Sequence, residues 1–191
     1  MDVAVSSTEQ HFGWRLRLIS FCLLLLSTPC LVQAQTPSNQ GDQRAKAVTQ
    51  VVLGILSYAR WPTEPAQLQL CVIGPTEYTD DLLKGATQST GRPVQVRRVL
   101  ASDPGIASSC NAVYLGKLSA DERSRLFSSL NTKAVLSISE DGDQCTVGSL
   151  FCLHVRDEQV SFEVNLDSVA RSGVRIHPSV LQLSRRRAAQ P

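Results

Sequence analysis

Apolar positions along this chain follow two periods, and the switches between them mark out its elements. Residues 42–59 carry Ala45, Val48, Val52, Ile55, Leu56 and Ala59 at spacings of three and four, the stripe of an amphipathic helix. Asp42 is placed to cap it, and Trp61-Pro62 to end it, because a residue before proline is pushed out of the helical region. Leu68–Ile73 is a short apolar run closed by Gly74-Pro75, as in a buried strand. Residues 79–88 predict a helix with Leu82 and Leu83 turned inward and Gly91 beyond its end. Val94 and Val96 alternate with polar and basic residues over 94–100, the pattern of a half-exposed strand. Asp103-Pro104 opens one short helical turn ending near Cys110, and residues 112–115 form the third strand.

The clearest local signal is Ser119-Ala120-Asp121-Glu122, the spacing of a capping box, followed by Leu126, Phe127 and Leu130 on one helical face. A fourth strand is expected at 133–139 and a polar loop at 140–149. Residues 150–155 and 159–164 then flank a turn at Arg156-Asp157-Glu158, which reads as a hairpin, and a last helix follows Pro178. Strands separated by helical connections predict an α/β fold: a single-domain three-layer sandwich with a mostly parallel sheet in flavodoxin-like order, extended by a C-terminal antiparallel hairpin.

The N-terminal pattern has neither period. Arg15 and Arg17 precede an apolar stretch at 18–26, and Val32-Gln33-Ala34 is a small-residue cleavage pattern, so residues 1–34 read as a secretory signal peptide cut after Ala34. Nine helical residues span roughly 14 Å, well short of a ~30 Å hydrocarbon core, so a retained membrane anchor is not expected. Lipid attachment at Cys30 is disfavoured because Pro29 stands where a small residue is needed. Removing 34 of 191 residues leaves 157, and the loss of Arg15, Arg17, Asp2 and Glu9 leaves the net charge at +2. The expected organisation is a flexible tail at 35–41, one α/β domain at 42–184 and a basic tail at 185–191 containing Arg185-Arg186-Arg187. Near-neutral charge gives no case for nucleic acid or for an anionic membrane surface.

Export changes the reading of the cysteines. Cys71, Cys110, Cys145 and Cys152 survive cleavage, and an even number in an oxidising compartment points to disulfides, with three connectivities open. Zinc is the rival, but the chain has no C-x-x-C pair. In a flavodoxin-like order the strand holding Cys71 neighbours the strand that Cys110 precedes, so a 71–110 bridge is geometrically reasonable, leaving Cys145 and Cys152 to close a short loop. Chain entropy assigns roughly 4 kcal/mol to the first loop and about 2.5 kcal/mol to the second, as upper guides. The first pair is the structural staple, and the second is the better candidate for a reducible, regulatory bond.

The search for catalytic chemistry is negative, which predicts a non-enzyme. Only His154 and His177 lie beyond the signal, and no G-x-S-x-G, H-E-x-x-H or glycine-rich phosphate loop occurs. No cofactor is expected, and the acid pairs Asp80-Asp81 and Asp141/Asp143 read as a helix start and a loop. Two constellations are candidates for binding. Phe151, beside Cys152, suits an interface anchor or an inward core position, and Glu163 suits partner contact or pairing with an arginine. Arg60, Trp61, Arg175 and His177 adjoin proline-marked boundaries and, brought together, would suit an anionic metabolite or an amino acid stacked on the indole; separate solvated charges are the plainer alternative.

Five segments then carry a family resemblance: Tyr58-Ala59-Arg60-Trp61-Pro62, Leu70-Cys71-Val72-Ile73-Gly74, Ala134-Val135-Leu136-Ser137-Ile138-Ser139, Phe162-Glu163-Val164-Asn165 and Leu181-Gln182-Leu183. In this order they resemble the YfiR-like periplasmic proteins over nearly all of residues 42–184. The resemblance implies a repressor that binds the periplasmic part of an inner-membrane diguanylate cyclase (YfiN-type) and holds it inactive. It further implies release by an outer-membrane lipoprotein (YfiB-type), raising cyclic-di-GMP and promoting biofilm formation. Pairing of two copies into a homodimer stays open. One departure is the cysteine-bearing stretch 144–152, where many relatives have a glycine-containing segment, so loop function does not transfer simply.

Overall fold

The computed structural model describes residues 37–142, 148–156 and 159–183. The expected export signal, Cys145 and the basic tail at 185–191 lie outside the described residues. Helix α1 (Pro37–Tyr58) buries the stripe read from the sequence: Val48, Val52, Ile55 and Leu56 are fully enclosed. It begins at Pro37 rather than at Asp42, so most of the expected tail is helical and Asp42 is an exposed interior position, not a cap. Proline carries the right φ for a first helical turn, and Gly41, a weak helix former, faces open space. Ahead of Trp61-Pro62 the chain leaves the helix and extends as β1 (Ala59–Arg60).

After β2 (Leu68–Ile73) the expected helix at 79–88 does not form. A single 3-10 turn (Leu82–Lys84) buries Leu82, and the chain then extends as β3 (Ala86–Thr87) beside β4 (Pro93–Val99). Leu82 and Leu83 are adjacent instead of repeating at helical spacing, and Gly85 sits at φ +88°, which stops a helix there. Helix α2 (Ile106–Ser109), β5 (Ala112–Leu115) and α3 (Ala120–Leu130) follow as read, α3 with its capping box formed by Ser119 and Glu122. Strand β6 is Leu136–Ser139, three residues shorter than expected, because the chain turns through Thr132 at φ 63° first. Strands β7 (Phe151–Arg156) and β8 (Gln159–Val164) make the antiparallel hairpin. Two further elements had no sequence reading: α4 (Leu166–Arg171), capped by the Asn165 side chain, and β9 (Arg175–Ile176). Residues 180–183 are helical, as expected after Pro178.

The main sheet has the order β3-β4-β2-β5-β6-β7-β8. Its five central strands β4-β2-β5-β6-β7 are parallel, with antiparallel strands at both edges. That is the flavodoxin-like order, with its switch point between β2 and β5, where the chain changes direction across the sheet. Side chains alternate faces along each strand. Leu68, Leu70, Val72, Tyr114, Leu136 and Ile138 join α1 in one core. Cys71, Ile73, Val113 and Leu115 join Ile106, Leu126 and Leu130 in the other. Cys71 and Cys110 are disulfide-bonded inside this second core.

Candidate functional site

Strand β1 pairs antiparallel with β9 as a ribbon apart from the main sheet, and it brings three of the four expected ligand residues together. Arg60 and Arg175 are direct cross-strand partners, both exposed. Like charges placed this way repel, so the ribbon depends on its other contacts. The His177 N–H donates to the Tyr58 carbonyl at 2.9 Å, and the two rings lie 6.2 Å apart. Arg60 Nη1 donates to the carbonyls of Ser57 (2.8 Å) and Ala59 (2.7 Å), where the C-terminus of α1 favours a cation. Trp61 does not join them. Its indole is buried and its Nε1 donates to the Asn111 carbonyl at 3.0 Å, tying β1 to the approach of β5. The expected stacking platform is therefore a packing residue, and the guanidinium over its ring, 6.0 Å from the centroid, is that of Arg92 instead of Arg60 or Arg175.

On the hairpin, the two expected partner-contact residues separate. Phe151 is fully buried, edge-on to Phe162 at 5.7 Å, so it takes the core alternative and is not a surface anchor. It begins β7 against Val164, where both strands turn this face toward α1. Glu163 is exposed, as expected, but its neighbour is not an arginine: Oε1 lies 3.3 Å from His154 Nε2 on the adjacent strand. Cys152, the cross-strand partner of Glu163, is buried and disulfide-bonded. Its expected partner, Cys145, lies outside the described residues.

A third region had no sequence reading. A cleft of about 660 Å³ opens at the carboxyl ends of β2, β5, β6 and β7, which includes the switch point of the sheet. Glu140 follows β6 into it, and one carboxylate oxygen accepts the Glu77 N–H. Burial is the main cause that holds the Glu140 carboxyl above the usual glutamate range. The Tyr114 hydroxyl beside it is fully enclosed, and burial pushes its pKa up in turn. Nearby, Arg123 of α3 is buried, donates to Ser149 Oγ at 3.0 Å and lies 5.3 Å over the Phe127 ring. Burial lowers its pKa while the charge of Asp141 acts in the opposite direction. The signal that could have found the cleft is topological: the residues directly after parallel strands near a switch point. Among the described residues, no group of His, Cys, Asp and Glu is arranged to hold a metal ion.

A family model described as YfiR/HmsC-like matches residues 45–185, from α1 through the whole sheet to the C-terminal ribbon. The chain belongs to the YfiR/HmsC-like family. YfiR/HmsC-like proteins are periplasmic and regulatory, and the family points to control of a diguanylate cyclase. Among the described residues no helix is long and apolar enough to cross a membrane. The buried Cys71–Cys110 bond suits an oxidising compartment.

Proposed function

We propose that this protein is a periplasmic repressor that binds the periplasmic part of an inner-membrane diguanylate cyclase (YfiN-type) and holds it inactive. The carrying observation is the YfiR/HmsC-like match across residues 45–185. In this reading residues 1–34 direct export and are removed after Ala34, and an outer-membrane lipoprotein (YfiB-type) sequesters the repressor to restore cyclic-di-GMP synthesis and biofilm formation. Glu163, exposed on the edge strand β8, is the partner-facing residue, and the Cys145–Cys152 pair makes binding sensitive to redox state. Deleting the gene is expected to raise cellular cyclic-di-GMP only while the cyclase is present. Unchanged cyclic-di-GMP with the cyclase intact would overturn the proposal.

A second reading is favoured by the ribbon. Arg60, Arg175 and His177 are exposed on adjacent positions of β1 and its partner segment, a basic strip suited to an anionic metabolite or an amino acid carboxylate. Calorimetry against amino acids and phosphorylated metabolites tests it, with Arg60→Gln and Arg175→Gln expected to abolish the heat. Binding that survives both substitutions would remove the strip from the account.

A further inference from the structure

At the end of β6 away from the cleft lies a smaller hollow of about 170 Å³, bounded by α3, the turn into β6 and α4. Its floor is apolar: Phe127 and Leu130 from α3, Val135 ahead of β6 and Leu150 ahead of β7. Ser168 of α4 belongs to its wall, is buried, and has a hydroxyl without a hydrogen-bond partner among the described residues. Lys133 and Arg171 also border the hollow, both exposed, and neither forms an ion pair with a described residue.

These features select one ligand chemistry. Two exposed cations without an ion-pair partner among the described residues call for an anion, and the apolar floor calls for a body that gains by leaving water. A cavity of about 150 Å³ lined by Leu, Ile and Phe accepts benzene, so this hollow is matched to a single ring or a short branched chain. We propose that it binds a small monocarboxylate with a compact apolar body, the carboxylate held by Lys133 and Arg171 and the body resting on Phe127, Leu130, Val135 and Leu150. A free acid and the C-terminal residue of a bound chain present the same chemistry.

Calorimetry on the purified protein separates these sources. Benzoate and 3-methylbutanoate are the probes. Benzamide lacks the charge, acetate lacks the body, and a hexapeptide ending in leucine is compared with its C-terminal amide. Either probe acid is expected to bind with a millimolar or better Kd, at least tenfold tighter than benzamide or acetate, and more weakly as salt rises. Lys133→Gln and Arg171→Gln are each expected to weaken binding tenfold or more at unchanged melting temperature, because both side chains are exposed and neither pairs with a described residue. Competition by the free peptide but not its amide assigns the hollow to a chain terminus. Binding of the acids alone assigns it to a free carboxylate. No heat from either acid or from the peptide at 10 mM (roughly ten times the weakest affinity expected), benzamide equal to benzoate, or full affinity in both variants would overturn the proposal.

Discussion

Glu140 stands at the end of β6 with its carboxyl half withdrawn from water and one oxygen committed to the Glu77 N–H. Because burial raises its pKa above that of the unfolded chain, the folded state holds the proton more tightly. The stability from this group is fully present below the ordinary glutamate range and is lost as pH rises through the folded pKa. Glu140→Gln keeps the acceptor for the Glu77 N–H without the charge, so it is expected to melt higher than the parent at pH 7. The difference should close toward pH 4, which thermal melts at the two values would read. Gly148 is the other sensitive position: its φ is +90°, and an added Cβ would lie 2.5 Å from the Phe127 ring. Gly148→Ala is expected to cost about 2 kcal/mol or more in urea denaturation. Neither residue stood out in the sequence, where Glu140 is a loop acid and Gly148 a loop glycine. What makes each one special comes from neighbours far along the chain, which local periodicity does not carry. Phe151 shows the same limit, since the sequence left surface and core both open and the pairing with β8 places it inward.

Elements were legible where they were long enough to show a period. Helix α1, strand β2 and the capped helix α3 each contain at least six residues, and their apolar faces are the faces that pack. Strands β1, β3 and β9 have two residues each, too few for any alternation, and so the ribbon that brings Arg60 beside Arg175 was invisible. Residues 79–88 failed for a related reason: two adjacent leucines are not a helical stripe, and glycines at positive φ follow at 85 and 91. The 71–110 bridge was legible because strand order makes β2 and β5 neighbours. It closes a span of 39 residues, for which chain entropy gives an upper guide of roughly 4 kcal/mol. Replacing Cys71 and Cys110 together with alanine is expected to lower the unfolding free energy by about 2–4 kcal/mol. Replacing Cys145 and Cys152 should cost less, and equal losses in urea melts would contradict the division into staple and clip.

At the scale of the whole molecule, strand order followed from the alternation of strands and helices, whereas function entered through family likeness. A flavodoxin-like sheet serves many activities, so architecture alone does not choose among them. The hairpin is where the proposed regulator can be tested. Strand β8 is an edge of the sheet, with Phe162 turned into the core and Glu163 turned out beside His154. Partner contact through this edge therefore predicts that two hairpin residues respond oppositely. Phe151→Ala removes a fully enclosed ring and is expected to cost about 3–5 kcal/mol of stability. Any loss of partner capture in that variant should follow the unfolded fraction. Glu163→Arg changes an exposed charge, so its melting temperature should stay close to the parent while capture of the cyclase or lipoprotein periplasmic domain weakens tenfold or more. Melting curves and equilibrium binding on the same two preparations read both quantities. A Glu163→Arg protein that binds both partners at full affinity would move the interface off β8, leaving the ribbon of Arg60 and Arg175 as the next charged surface to test.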